Sequence, residues 1–344
     1  MKIVIDRDIP FIEGVLEPYA TVVYKDGFEI SREDILDADA LIIRTRTRCN
    51  GELLAGTGIK IIATATIGTD HIDLEYCNEH RIFVQNAAGC NAGGVMDYVF
   101  SALYGSASRK SIDLNGATFG IIGVGHVGSR VEEMARRLGF KVLLNDPPRE
   151  EKEGPDRFCD LDTLLENSDI VSIHTPLNDA TRGMAGSDFF SKMKVGAFFI
   201  NAARGGIVND DELIEAIPKL GPVIIDTWNH EPDINLKLLN LVDIATPHIA
   251  GYSYQGKQFG TMAAVRAIAR YFDIKDLFEF FPHNGDEEKN SVTINVKGLS
   301  QGQIASVFQY NYPIFTDDFV LRANPECFEQ LRSEYQYRRE FYIV

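Results

Sequence analysis

The sequence predicts an α/β protein: two doubly wound parallel-sheet domains and a small α+β domain at the C-terminus. Three observations carry this. Short apolar runs alternate with segments of helical spacing from the first residue, and the pattern restarts at Phe119. The stretch PHNGDEEKN (282–290) then reads as a linker to a last segment of different character. A length of 344 residues also exceeds one ordinary core.

Taken in order, Lys2–Ile5, Thr21–Tyr24, Ala38–Ile43 and Ile59–Ala65 read as strands of a first sheet. Ile30–Leu36 between them has helical spacing, with Ser31 as a possible cap. Gly93–Ala107 is expected to cross to the second domain. There Phe119–Ile122, Val142–Asn145, Ile170–His174, Ala197–Asn201, Val223–Asp226 and Ile244–Ala245 are strand candidates. Their unbroken apolar character suits strands buried on both faces. Val127, Val131, Met134, Ala135 and Leu138 fall on one helical face, and Gly139 can end that helix. Asn209 with Glu212 resembles a capping box. Gln258–Tyr271 is expected to cross back.

After the linker, Val292, Ile294 and Val296 alternate as a strand. Helices follow near Gln303–Phe308 and Pro325–Tyr337, and Phe341–Val344 is an apolar end. This piece is too small for a robust core of its own and is expected to pack on the body or on a second subunit. The boundaries are therefore 1–97, completed by the crossover helix 254–281, then 98–253, then 282–344.

Composition narrows the function. A net charge of −16 argues against nucleic acid and anionic membranes as partners. An anionic substrate would need a local cluster of basic residues. Five scattered cysteines without a CxxC pair suit a reducing cytoplasm. The opening MKIVIDRDIP does not read as a signal peptide, and no run of 18 apolar residues predicts a membrane span. No metal site is expected.

The sharpest local motif is Gly123-Val-Gly125-His-Val-Gly128, which follows a strand and opens an amphipathic helix. That context suits a Rossmann-like dinucleotide site: glycines permit the turn and the approach of pyrophosphate, and the helix N-terminus offers free N–H groups. Asp146 ends the next strand, where a carboxylate can accept from ribose hydroxyls and repel a 2′-phosphate. NAD is therefore expected rather than NADP.

Arg204, Glu231 and His248 each follow a late strand of this domain, on the side where open α/β sheets bind ligands. Hydride transfer from a 2-hydroxy acid needs a base for the hydroxyl proton, a cation for the carboxylate and an acid that orients the base. His, Arg and Glu suit these roles in turn. Taken singly, each also has a bland reading: a hydrogen-bonded core histidine, a surface charge, a loop acid before Pro232. His230 is the nearest competitor as base.

At this point the chain resembles a known family. NAARGGIV (201–208), DTWNHEP (226–232) and TPHIAGYS (246–253) look like the signatures of the D-isomer-specific 2-hydroxyacid dehydrogenases. The resemblance implies Arg204 as substrate-binding arginine, Glu231 as orienting carboxylate and His248 as acid/base. It implies NAD contacts at His126 and Val127 within the glycine loop, and at Asp146, Thr175, Ala202, Ala203, Arg204, Asp226 and Gly251. The segments RTRTRCN (44–50), ATATIGTDHID (63–73), AAGCNAGGVMDYVFSAL (87–103), NDPPR (145–149) and HIAGYSYQGKQFGT (248–261) resemble one branch of it. That branch acts on a small phosphorylated four-carbon hydroxy acid on the route to pyridoxal phosphate. By this likeness Thr45, Thr66 and Tyr252 contact substrate, and the C-terminal domain builds a homodimer. Family members often carry Ser at the first of these positions. The chain is also expected to stop at REFYIV, short of a further strand and helix, and to have a short loop after Thr175-Pro176.

From the residues alone, Arg44, Arg46 and Arg48 would share one face if strand-like, a basic comb suited either to phosphate or to a solvated edge. Two other functions remain open. One is a different D-2-hydroxyacid dehydrogenase, such as one acting on 3-phosphoglycerate. The other is an NAD(H)-sensing binding protein like the corepressors of this fold.

Overall fold

A computed structural model describes residues 1–282 and 290–344. The linker expected at 282–290 lies almost wholly outside the described residues. The chain forms two compact units, Met1–Asn91 with Tyr254–Asn290, and Ala92–Ser253 with Ser291–Val344.

In the first unit, β1 (Lys2–Asp6), β2 (Thr21–Lys25), β3 (Ala40–Ile43), β4 (Ile61–Thr64) and β5 (Phe83–Asn86) form a parallel sheet of order β2-β1-β3-β4-β5. Its central strands are mostly apolar because both faces are covered. Ile3, Ile5, Ile42 and Ile61 pack with Val265 and Ile268 of the helix Tyr254–Tyr271. Val4, Leu41, Ile43 and Ile62 pack on the other face with Ile35, Leu54 and Cys77. Ser31 caps the helix Arg32–Ile35 through a capping box with Asp34. The strand β5 was not expected from the sequence, because its residues FVQN lie at the sheet edge and alternate between exposed and half-buried.

In the second unit, β6 (Thr118–Ile122), β7 (Lys141–Asn145), β8 (Ile170–Ile173), β9 (Phe198–Asn201), β10 (Val223–Ile225) and β11 (Ile244–Ala245) form a parallel sheet of order β11-β10-β9-β8-β6-β7. The chain leaves β6 to one side for β7 and returns to the other for β8. The loop after β6 therefore stands at a topological switch point, where open α/β sheets bind ligands. Phe100 and Leu103 of the helix Ala92–Lys110 bury one face of the sheet with Phe119 and Ile121. Leu164, Phe189, Phe190 and Leu238 bury the other.

The C-terminal segment shares these cores. Its strands β12 (Val292–Ile294) and β13 (Phe341–Ile343) pair in parallel. Phe308, Tyr312, Ile314 and Phe341 pack with Phe100 and Phe119, while Leu321 and Phe328 join the Leu238 side. A helix Ile314–Ala323 that the sequence reading did not anticipate lies over the sheet edge. There Asp318 accepts the Ala245 N–H at 2.7 Å and pairs with Arg322 at 2.9 Å, which satisfies an edge strand. The helix expected over Pro325–Tyr337 is shorter: a tight turn at Pro325–Cys327 leads into Phe328–Ser333.

Candidate active site

The glycine loop runs from β6 into the helix His126–Arg137, with Gly125 as its N-cap. Gly128 is obligatory: a Cβ there would lie 2.0 Å from the Gly123 carbonyl oxygen. A Cβ on Gly125 would meet nothing within 4 Å, so the loop is open at that point. Asp146, at the end of β7, braces the loop. Its Oδ2 accepts the Val124 N–H at 2.7 Å, and its Oδ1 caps the next helix through the Arg149 N–H at 3.0 Å. Such a cap contributes about 0.5–2 kcal/mol. The Arg149 guanidinium donates to the Val124 carbonyl, so that Val124 is gripped from both sides. Each Asp146 oxygen keeps a lone pair for further donors.

After β8, the hydroxyl oxygen of Thr175 and the Nδ1 of His174 are buried without a hydrogen-bond partner. The His174 Nε2 meets Ser172 Oγ at 2.9 Å. Burial pushes the His174 imidazole down to about 3. A buried hydroxyl without a partner is costly, and a polar ligand beside the loop would satisfy it. An open glycine turn, a helix N-terminus, a carboxylate at the end of β7 and an unsatisfied hydroxyl together fit an NAD molecule.

The loops after β9, β10 and β11 converge. In the first, Asn201 accepts the Ala203 N–H at 3.1 Å and donates to the Arg204 carbonyl at 3.0 Å. The Arg204 guanidinium donates to the Ala203 carbonyl at 2.8 Å. Gly205 presses on the next loop: a Cβ there would fall 2.0 Å from the Trp228 carbonyl. That contact seats Arg204 against the segment that carries Glu231.

Asp226 anchors the third loop. It accepts from Thr246 Oγ1 at 2.7 Å, Ile249 N at 2.8 Å and Ala250 N at 3.0 Å. Because Thr246 gives its proton to Asp226, Tyr98 must donate to Thr246, 2.8 Å away. Burial pushes the Asp226 carboxyl up despite these donors and the nearby His248. The anchored loop holds His248 in a left-handed conformation at φ 56°, a strained position for a non-glycine residue.

Two residues now meet. Glu231 takes the Trp228 N–H on Oε1 at 2.8 Å and faces His248 Nδ1 with Oε2 at 2.8 Å. Burial pushes the Glu231 carboxyl up, but His248, the Trp228 N–H and Arg332 outweigh it and hold the group below its ordinary value. The carboxylate stays ionised and fixes the imidazole tautomer, which leaves Nε2 as the acceptor nitrogen of the ring. His230, the competing base, is not the residue that meets Glu231; His248 is. Tyr252 and Gly251 follow on the same loop, and the Tyr252 ring packs edge-on against Tyr335 and Tyr337.

The structure adds one residue that no motif announced. Arg332, on the helix Phe328–Ser333, places Nη1 3.7 Å from Glu231 Oε2. Nothing in the local sequence marks it, since the pairing is made by the fold.

In the first unit, Thr45 follows β3 and Thr66 follows β4, both at the carboxyl edge of that sheet. Thr66 Oγ1 lies 2.6 Å from Thr64 Oγ1. The basic comb is not strand-like, because β3 stops at Ile43 and residues 45–47 turn. Arg44 and Arg46 instead converge on Asp8 Oδ2, each at 3.8 Å.

Comparison with known proteins places this geometry among relatives. Residues 97–250 match the family model described as D-isomer specific 2-hydroxyacid dehydrogenase, NAD binding domain. An erythronate-4-phosphate dehydrogenase of Bacteroides fragilis is 43% identical over 99% of this chain and 97% of that protein. One from Yersinia enterocolitica is 37% identical over 99% and 93%. Among solved structures, NAD-bound 3-phosphoglycerate dehydrogenase of Entamoeba histolytica is 28% identical with a TM-score of 0.69, covering 81% of this chain and 97% of that one. D-lactate dehydrogenase of Aquifex aeolicus, complexed with NAD and lactic acid, is 26% identical with a TM-score of 0.68, covering 83% and 100%.

Proposed function

Since this chain belongs to the erythronate-4-phosphate dehydrogenase branch of the NAD-dependent D-isomer-specific 2-hydroxyacid dehydrogenases, we propose that it oxidises 4-phospho-D-erythronate to (R)-3-hydroxy-2-oxo-4-phosphobutanoate in the supply of pyridoxal 5′-phosphate. The observation that carries the chemistry is the 2.8 Å contact between Glu231 and His248 beside a dinucleotide loop. The full-length likeness to enzymes of that name carries the substrate.

The loop Gly123–Gly128, with Asp146 and Thr175, would hold NAD⁺, which would supply the hydride acceptor. His248 Nε2 takes the hydroxyl proton while the C2–H bond gives up its electron pair as hydride and C2–O becomes a carbonyl. Glu231 balances the imidazolium that results. Arg204 binds the substrate carboxylate in a bidentate grip and polarises the nascent carbonyl. Thr45, Thr66 and Tyr252 supply hydroxyls to the substrate, the role they have by likeness to the branch.

The same reading makes the protein a homodimer built through the C-terminal segment, where Tyr310 and Phe319 are 83% and 70% exposed. It also places the enzyme in the cytoplasm, in keeping with five cysteines none of which forms a disulfide among the described residues. Among the described residues, no helix is long and apolar enough to cross a membrane.

The test is NADH formation, followed by absorbance, with 4-phospho-D-erythronate and 3-phospho-D-glycerate in parallel. A higher kcat/KM for 4-phospho-D-erythronate is expected. Preference for 3-phosphoglycerate would refute the substrate assignment, and binding of NADH with no turnover of either would refute the catalytic one.

A further inference from the structure

Arg332 reaches the candidate catalytic pair from the C-terminal segment. Its helix, Phe328–Ser333, is anchored by Phe328, fully buried among Leu238, Leu239 and Leu321. From there the guanidinium meets the same Glu231 oxygen that faces His248: Oε2 is 2.8 Å from His248 Nδ1 and 3.7 Å from Arg332 Nη1. The Arg332 side chain is mostly buried, and its Nε has no hydrogen-bond partner. A buried cation with a loose ion pair and an unmet donor is a poor device for stability alone. It also hydrogen-bonds Tyr252, a proposed substrate contact.

We propose that Arg332 is a positioning residue for the Glu231–His248 pair: it meets the same carboxylate oxygen as the imidazole and sets how firmly His248 keeps its proton. Arg stays charged at any working pH. Its cation therefore weakens the pull of Glu231 on the imidazolium. The ordinary alternative is that Arg332 only fastens the C-terminal helix. Glu231, Asp226, Arg204 and Tyr252 also stand on the loops around His248, and Glu329 lies beside Arg332. Changing Arg332 alone removes one positive charge and leaves the chemical identity of these groups as it is.

The proposal rests on the catalytic reading of His248, but its test does not need turnover. The full chain carrying ¹³C-labelled histidine would be titrated by NMR, with the His248 signal assigned by its loss in His248→Gln. Arg332→Met is expected to raise the His248 pKa by about 0.5–1 unit, as removal of a neighbouring cation should. Arg332→Lys, which keeps the charge, is expected to titrate like wild type. If Arg332→Met does not fold, Arg332→Gln, which retains hydrogen-bonding capacity, takes its place. A neutral variant whose His248 titrates with wild type overturns the proposal, as does a Lys variant that shifts like Met. In steady state the acid limb of kcat/KM should move to higher pH by the same amount. If the NMR shift occurs while His248→Ala retains full activity, the catalytic reading has failed and the electrostatic role of Arg332 stands.

Discussion

His248 Nδ1 and Glu231 Oε2 stand 2.8 Å apart, brought together by the loops that leave two neighbouring strands of one parallel sheet. The hydrogen bond fixes the ring of a histidine that the loop holds in a strained backbone conformation. It also fixes the sign of the pH effects that follow.

Glu231 is ionised and stabilises the imidazolium, so Glu231→Gln should lower the His248 pKa and move the acid limb of kcat/KM to lower pH by about 1 unit. The rate at the plateau should fall by about 10²-fold, because the tautomer is no longer fixed. Because the folded-state pKa of Glu231 lies below its ordinary value, the stability it contributes is present above the unfolded carboxylate pKa. It is lost as pH falls through the folded value. A pH–rate profile and an acid-denaturation series check the two halves separately.

Two glycines of one loop should behave differently. Gly128→Ala drives a methyl group into the Gly123 carbonyl, so a loss of about 1–3 kcal/mol in stability is expected together with loss of NAD binding. Gly125→Ala meets no protein atom within 4 Å, so the melting temperature should hold while NAD affinity drops about tenfold or more. Thermal melts beside NADH fluorescence titrations separate the cases. Equal melting temperatures for both variants would contradict the packing argument.

Asp226 accepts three hydrogen bonds from the His248 loop. Asp226→Asn would put an amide N–H₂ against one of those donors, at a cost of about 1–3 kcal/mol, and should reduce kcat more than NAD affinity. A loss of NAD affinity with no change in urea midpoint would instead make Asp226 a direct cofactor contact.

His174 should contribute to acid sensitivity. Its folded pKa of about 3 lies below the ordinary value of 6.5, so its neutral burial costs nothing above pH 6.5. Between there and pH 3 the unfolded chain gains a proton that the folded one lacks, and stability falls by about 1.4 kcal/mol per pH unit. Across pH 7 to 5 the urea midpoint of wild type should fall more steeply than that of His174→Gln, which lacks the group. Identical slopes would contradict the assignment.

Much of this was legible in the sequence, and each gap has a physical cause. The buried strands β1, β3, β4, β6 and β8 to β11 announce themselves as largely apolar runs because both faces are covered. Strand β5 does not, since two of its four residues are polar and its side chains alternate toward solvent. The helix Ile314–Ala323 is masked by Asp317 and Asp318, whose carboxylates pair with Arg338, Arg322 and the Ala245 N–H in the fold. The glycine loop and the trio Arg204, Glu231 and His248 carry chemistry in residue type and position after strands. Arg332 carries none in its own segment, and only the packing of Phe328 reveals what it meets. Alternation along Arg44, Arg46 and Arg48 misled, because a face exists only while the strand continues, and β3 ends at Ile43.

The most direct test of the central assignment is kcat/KM for 4-phospho-D-erythronate in wild type and His248→Ala, with NADH affinity measured on the same preparations. A fall of about 10²–10⁴-fold in kcat/KM with unchanged NADH affinity is expected for loss of a general base. Full activity in His248→Ala would contradict it.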